Sequence, residues 1–170
     1  MPANRNAVSS RPKAHFLPPL PDIVIEPIVK LALAEDLGVA GDVTTDALID
    51  PETQGRWALR SREAGVVAGL DAATLAAWMI DTDIQWNILA PDGSRVKAGD
   101  TIAEISGSAH SVLVAERTML NFIGRLSGIA TKTRQYVDAV DGMGVIVACT
   151  RKTTPGLRAL EKRAVRLGGG

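Results

Sequence analysis

The chain has a single cysteine, two histidines and few aromatic residues, with three tryptophans, two phenylalanines and one tyrosine in 170 positions. Cys149 alone cannot form an internal disulfide, so no disulfide framework holds the fold and a reducing, cytoplasmic compartment suits it. His15 and His110 are too few and too far apart for zinc-ligand spacing, and no metal ligands are expected among these residues. Aliphatic side chains must therefore fill the core. Charge of either sign is also missing in excess, because 19 basic residues balance 19 acidic ones. No global field draws the chain to nucleic acid or to an anionic membrane, and any basic site must be local. Long apolar runs are absent too. The most apolar stretch, residues 64–80, contains Asp71 and lies between Glu63 and Asp81, too short and too charged to span a bilayer. The opening residues are basic and proline-rich but lack the apolar region of a secretory signal, which predicts a flexible arm over 1–20.

What is present is an ordinary globular composition, 46% hydrophobic and 22% charged. Ile28, Leu31 and Leu33 predict a surface helix over 23–37 that Gly38 ends. Gly41-Asp42-Val43-Thr44-Thr45 reads as a turn into an extended segment. Alternation predicts one or two strands within 55–69, then a helix over 72–80 with Asp71 as N-cap. Residues 84–105 are strand-rich, with turns at 91–93 and 98–100. Two helices are expected at 111–126 and 129–140, followed by a break at 141–144. Residues 145–149 form a short apolar run without alternation, the pattern of a parallel strand buried on both faces. A polar loop and a helix follow, with Thr154 as cap, Pro155 at the first helical position and Gly168 as stop. Strand, loop and helix make one unit of an α/β barrel, and one unit cannot close a barrel.

The loop after the apolar run carries the clearest chemical signal. It sets Thr150, Arg151 and Lys152 before a helix N-terminus, where backbone N–H groups and side-chain cations favour an anion. On the helix of 111–126, Arg117, Asn121 and Arg125 share a face at four-residue steps, and spacing alone reads them as a solvated stripe. Arg158, Lys162 and Arg166 do the same on the last helix, with Glu161 the only acid nearby. Solvation is again the default reading. Gly168, Gly169 and Gly170 read as a frayed tail or as room for a phosphate to approach the backbone. Cys149, His15 and His110 are not expected to be catalytic.

Four blocks together resemble quinolinate phosphoribosyltransferases: ALAEDLG with GDVTT (residues 32–45), GVVAGL (65–70), ERTMLNF with RLSGIATKT (116–133), and CTRKTTPGLRALEK (149–162). They fall in the family's order and spacing from about Leu31 onward. The resemblance implies an α+β chain, with an N-terminal α/β sandwich over 21–115 and the start of an incomplete α/β barrel over 116–170. It implies an enzyme that joins quinolinate to phosphoribosyl pyrophosphate with Mg2+, releasing pyrophosphate and carbon dioxide and forming nicotinate mononucleotide for NAD biosynthesis. Arg151 and Lys152, with Thr150 alongside, match the family's substrate-binding signature, and Lys152 is also the catalytic candidate. Arg117 matches an arginine that reaches into the neighbouring subunit's site, which implies a homodimer. Arg163 departs from the pattern, standing where the family usually has an aromatic residue. In the family, the triple glycine leads on to a histidine–arginine pair, a lysine and the acidic groups that handle ribose and magnesium. Those groups are not among these 170 residues, so the chain is expected to be an inactive portion of the enzyme.

Two non-enzyme readings stand beside this one. Residues 92–105 resemble half of a biotinyl or lipoyl hammerhead, but no modifiable lysine flanked by methionine sits at a hairpin tip. The other is a non-catalytic protein that uses the sandwich to dimerise.

Overall fold

A computed structural model describes residues 17–50 and 52–170, so His15 and most of the predicted arm lie outside the described residues. Helix α1 (Asp22–Leu37) forms as expected, but its buried line is Ile25, Val29 and Leu33, whereas Leu31 faces solvent. The segment read as extended is instead a short helix, α2 (Val43–Leu48). Asp42 starts it: its carboxylate accepts from the Thr45 N–H at 3.1 Å and from the Thr45 hydroxyl at 2.8 Å. An aspartate three residues before a free helical N–H satisfies a donor that an extended chain would leave to water.

Strands β1 (Gln54–Arg60), β2 (Gly65–Val66), β3 (Gln85–Ile88), β4 (Arg95–Val96) and β5 (Thr101–Ser108) make two antiparallel sheets, ordered β1-β5-β3 and β2-β4. Trp57 and Trp86 both oppose Ile105 from either side, so one row of the larger sheet is aromatic–aliphatic–aromatic. Between the strands lies α3 (Leu70–Ile80). Asp71 is not its N-cap. Gly69 takes that position in a left-handed conformation, and Asp92, from the turn before β4, accepts from the Leu70 N–H at 3.1 Å.

The two helices predicted for 111–140 are one continuous helix, α4 (Ala109–Ala139). At 31 residues it runs about 45 Å. Gly124 and Gly128 do not break it, because i→i+4 hydrogen bonds continue through both and packing along the opposite face supplies what glycine propensity lacks. Hydroxyls on α4 also do work that a neighbouring strand would do elsewhere. Thr131 Oγ1 accepts from the Val66 N–H at 2.9 Å, while Ser127 Oγ accepts from the Ala68 N–H at 3.0 Å and donates to the Ala68 carbonyl. A side chain at Gly69 would meet Leu126 at 2.8 Å, so the 65–70 segment lies flat on α4 only because that residue has none. These contacts give the GVVAGL and SGIAT blocks a structural reason to occur together.

Residues 145–149 do not form a strand. They have no regular secondary structure and pair with no strand among the described residues, and Ile146 is 88% exposed. A strand buried on both faces needs neighbours on both edges, and none is present among the described residues. Helix α5 (Arg158–Leu167) begins later than expected, so Thr154 is not its cap. Pro155 and Gly156 sit in a turn closed by the Leu157 N–H on the Thr154 carbonyl at 3.0 Å, with Gly156 left-handed. Leu160 and Ala164 are buried against the core, and Gly168 ends the helix as predicted.

Candidate functional site

The loop between residues 145–149 and α5 presents Thr150, Arg151 and Lys152 at the surface. Its near end is tightened by the Thr150 hydroxyl, which accepts from the Lys152 N–H at 3.0 Å, and by the Thr153 N–H on the Arg151 carbonyl at 3.1 Å. Neither the Arg151 nor the Lys152 side chain is paired with a carboxylate among the described residues. Two neighbouring cations in one exposed turn, with no acid to neutralise them, leave the charge available to an external anion.

The far end of the loop is held by groups that spacing alone left solvated. Arg125 of α4 donates to Glu161 of α5, from Nη2 at 2.6 Å and from Nε at 3.2 Å, and it also donates to the Thr154 hydroxyl. Glu161 accepts in turn from the Thr154 N–H at 3.2 Å. Burial alone works to raise the Glu161 carboxyl, but the hydrogen bonds from Arg125 and Thr154 outweigh it and hold the group below the ordinary glutamate value. On α5, Arg158 donates to the Thr153 hydroxyl at 3.2 Å, and Lys162 lies 3.3 Å from the Cys149 sulfur. Cys149 is thus exposed beside a cation rather than sealed in a strand.

Arg117 stands eight residues before Arg125, about 12 Å along α4. It is 67% exposed at the side chain and pairs with Asp36 of α1 at 2.7 Å. Within one chain it does not join the loop's hydrogen bonds. The Thr45 backbone and hydroxyl, and then the charge of Arg117, hold Asp42 below the ordinary aspartate range. His110 is paired with Asp46 at 2.8 Å. The EDLG and GDVTT blocks therefore surround the first turns of α4 with acids. Spacing along one helix could not show this, since the partners of Arg117 and Arg125 come from other elements.

A second charged group is not among the expected site residues. Arg163, 7% exposed, sits between Asp71 and Asp92, with Nε 3.1 Å from Asp71 and Nη2 3.6 Å from Asp92. It also donates to the Pro18 carbonyl. The Nε contact is close but not aligned as a hydrogen bond. Burial pushes the Asp92 carboxyl up despite the nearby arginine. The one signal in the sequence was the departure from an aromatic residue at this position. Gly168 is not frayed: it is buried, and a side chain there would run into Thr133 at 2.7 Å and into the Ala130 carbonyl.

Comparison with known proteins decides the lineage. The model of the quinolinate phosphoribosyl transferase N-terminal domain matches residues 42–127, and that of the C-terminal domain matches residues 129–170. The chain belongs to the quinolinate phosphoribosyltransferase family. It is 42% identical over 144 residues to a carboxylating nicotinate-nucleotide pyrophosphorylase of Mycobacterium leprae, covering 84% of this chain and 51% of that one. It is 38% identical over 171 residues to the decarboxylating quinolinate phosphoribosyltransferase 1b of Nicotiana tabacum, covering 99% and 47%. Its mixed helix-and-sheet fold matches the crystal structure of NadC from Streptococcus pyogenes with a TM-score of 0.87 and 40% identity, covering 91% of this chain and 54% of that one. The chain spans about half the length of the curated relatives it matches. Among the described residues no helix is long and apolar enough to cross a membrane, and no cluster of three or more histidine, cysteine, aspartate or glutamate side chains is placed to hold a metal.

Proposed function

We propose that this chain contributes the anion-binding loop and a cross-subunit arginine to a quinolinate phosphoribosyltransferase, which forms nicotinate mononucleotide from quinolinate and phosphoribosyl pyrophosphate. One observation carries the reading: Arg151 and Lys152 stand together in an exposed loop without a carboxylate partner among the described residues. Quinolinate brings two adjacent carboxylates and the other substrate brings several phosphate charges. Charge-assisted hydrogen bonds from Arg151 and Lys152, with Thr150 beside them, oppose the mutual repulsion of these anions. The ring nitrogen then attacks the ribose C1 as pyrophosphate leaves; when the adjacent carboxylate departs as carbon dioxide its electron pair stays on the ring carbon, where the positive charge of the quaternary nitrogen stabilises it until a proton is taken up there. On this reading Lys152 and Arg151 act by neutralising and positioning charge.

Arg117, extended from α4 and exposed, is assigned to the site of a second subunit in a homodimer. The chain is assigned a sandwich over 21–115 and the start of a barrel over 116–170, a division that falls inside α4. The residues described here do not fit magnesium. The one carboxylate at the loop, Glu161, is already taken by Arg125 and Thr154, so no step is drawn through the metal.

The assignment is tested by titrating phthalate, a carbon isostere of quinolinate, into the 170-residue chain and following backbone amide shifts. Shifts confined to residues 150–156 support it. Shifts absent there, or spread evenly over the surface, remove the loop from the site.

A further inference from the structure

The loop's two free cations pose a mechanical problem. Arg151 and Lys152 repel one another, and two further cations of the helix that follows, Arg158 and Lys162, touch Thr153 and Cys149 on either side of them, so like charge gathers at the loop. One carboxylate opposes this. Glu161 is 8% exposed, in the first turn of α5, and its two oxygens are divided between two elements: Oε1 takes both Arg125 donors from α4, and Oε2 takes the Thr154 N–H from the loop. Arg125 closes the triangle on the Thr154 hydroxyl. The loop is thus pinned two residues after Lys152, at a point where α4, α5 and the loop meet. Neutralised by Glu161, Arg125 is also withdrawn from the cations that an incoming anion meets.

We propose that Glu161, through Arg125 and Thr154, is the positioning residue of the anion loop, setting where Arg151 and Lys152 stand for an aromatic dicarboxylate without touching it. The inference rests on the loop being the anion site proposed above, and its test is arranged so that the two can fail separately. Thr154 is fixed by a charge-assisted triangle rather than by packing, so loosening the triangle should release the loop while leaving the core of Leu160 and Ala164 in place.

The experiment uses the 170-residue chain with two readouts, hydrogen exchange at the Thr154 amide and the Kd for phthalate. Arg125→Met keeps an unbranched side chain at a half-exposed helical position, and Glu161→Gln keeps size and an acceptor, so the two variants together guard against a failure to fold. Each is expected to speed Thr154 exchange and to raise the phthalate Kd about tenfold, which corresponds to roughly 1.4 kcal/mol. Arg125→Lys should recover part of the affinity that Arg125→Met loses, which a packing defect would not produce. Unchanged exchange and unchanged Kd in both folded variants would overturn the proposal. If the parent chain does not bind phthalate, the anion reading fails and exchange alone decides the clamp: faster exchange at Thr154 supports it and unchanged exchange overturns it.

Discussion

At the scale of single residues, Arg151 and Arg163 make opposite predictions from the same side chain. Arg151 is exposed and without an ion-pair partner among the described residues, and such a charge contributes roughly 0–1 kcal/mol to stability, whereas a desolvated charge-assisted contact is worth about 1.5–3 kcal/mol. Arg151→Ala should therefore leave the Tm nearly unchanged and raise the Kd for phthalate by tenfold or more. A sharp fall in Tm with unaltered affinity would make the loop structural. Arg163 is buried against Asp71 and Asp92, and Arg163→Met leaves two carboxylates without their cation, at a cost of about 3–5 kcal/mol in denaturant unfolding. Burial raises the folded-state value of Asp92 above its unfolded one, so its contribution is fully present below the unfolded value and is lost as pH rises through the folded one. The Arg163→Met defect should thus shrink as pH falls toward the carboxylate range. Glu161 has the opposite sign. Held below its ordinary value, it stabilises the fold above that value and stops doing so as pH falls through the lowered one, so Glu161→Gln should flatten the acid limb of the stability curve. Neither role was legible from one helix. Arg163 reads only as a departure from the family's aromatic residue until α3 and the turn before β4 are packed against it, and Arg125, the charged partner of Glu161, lies 36 residues away.

At the scale of elements, α4 determines how the rest is arranged. Ser127 and Thr131 satisfy the N–H groups of Ala68 and Val66 on the side of that segment turned toward α4. Thr131→Val keeps the shape and removes the acceptor, and an orphaned part-buried N–H costs about 1–3 kcal/mol, so stability measured in urea should fall by that amount with the helix content unchanged in circular dichroism. An unaltered midpoint would mean that water replaces the hydroxyl. Most elements could be read from local pattern: α1, the strands within 54–108 and the stop at Gly168 all follow from periodicity and turn residues. The errors share one cause. Ser127-Gly128 reads as a helix break because local propensity ignores the segment lying across that face of α4. Asp42 carried a readable cap signal, three residues ahead of Thr45, that the neighbouring glycine obscured. The apolar run at 145–149 reads as a strand buried on both faces and is neither a strand nor buried, because burial and pairing depend on neighbours that a local pattern does not contain. Within the candidate site, the cationic loop at 150–152 is legible as a loop from its sequence, whereas the triangle beside it is not.

At the scale of the whole molecule, the 170-residue chain by itself is predicted to form no detectable nicotinate mononucleotide from quinolinate, phosphoribosyl pyrophosphate and magnesium, since so charged a transition state needs more groups than the loop offers. Turnover at an ordinary enzymatic rate would refute this. Joined to the C-terminal half of the Mycobacterium leprae relative, the chain allows a test of the shared site. Arg117→Ala and Lys152→Ala proteins, each impaired alone, should recover part of the activity when mixed, because one site in each mixed dimer keeps both residues. No recovery after confirmed subunit exchange would place Arg117 outside the site. The unpaired segment at 145–149 has a consequence for the molecule as a solute. Apolar, β-prone, free of proline and charge, and exposed, it fits the pattern of a stretch that recruits strands from other molecules. The charges that follow it at once are Arg151 and Lys152, and flanking charges are what keep such stretches from assembling. The same two cations would thus hold the substrate and guard the solution state, so removing both should lower the concentration at which the protein stays clear on warming, even where the Tm is unmoved.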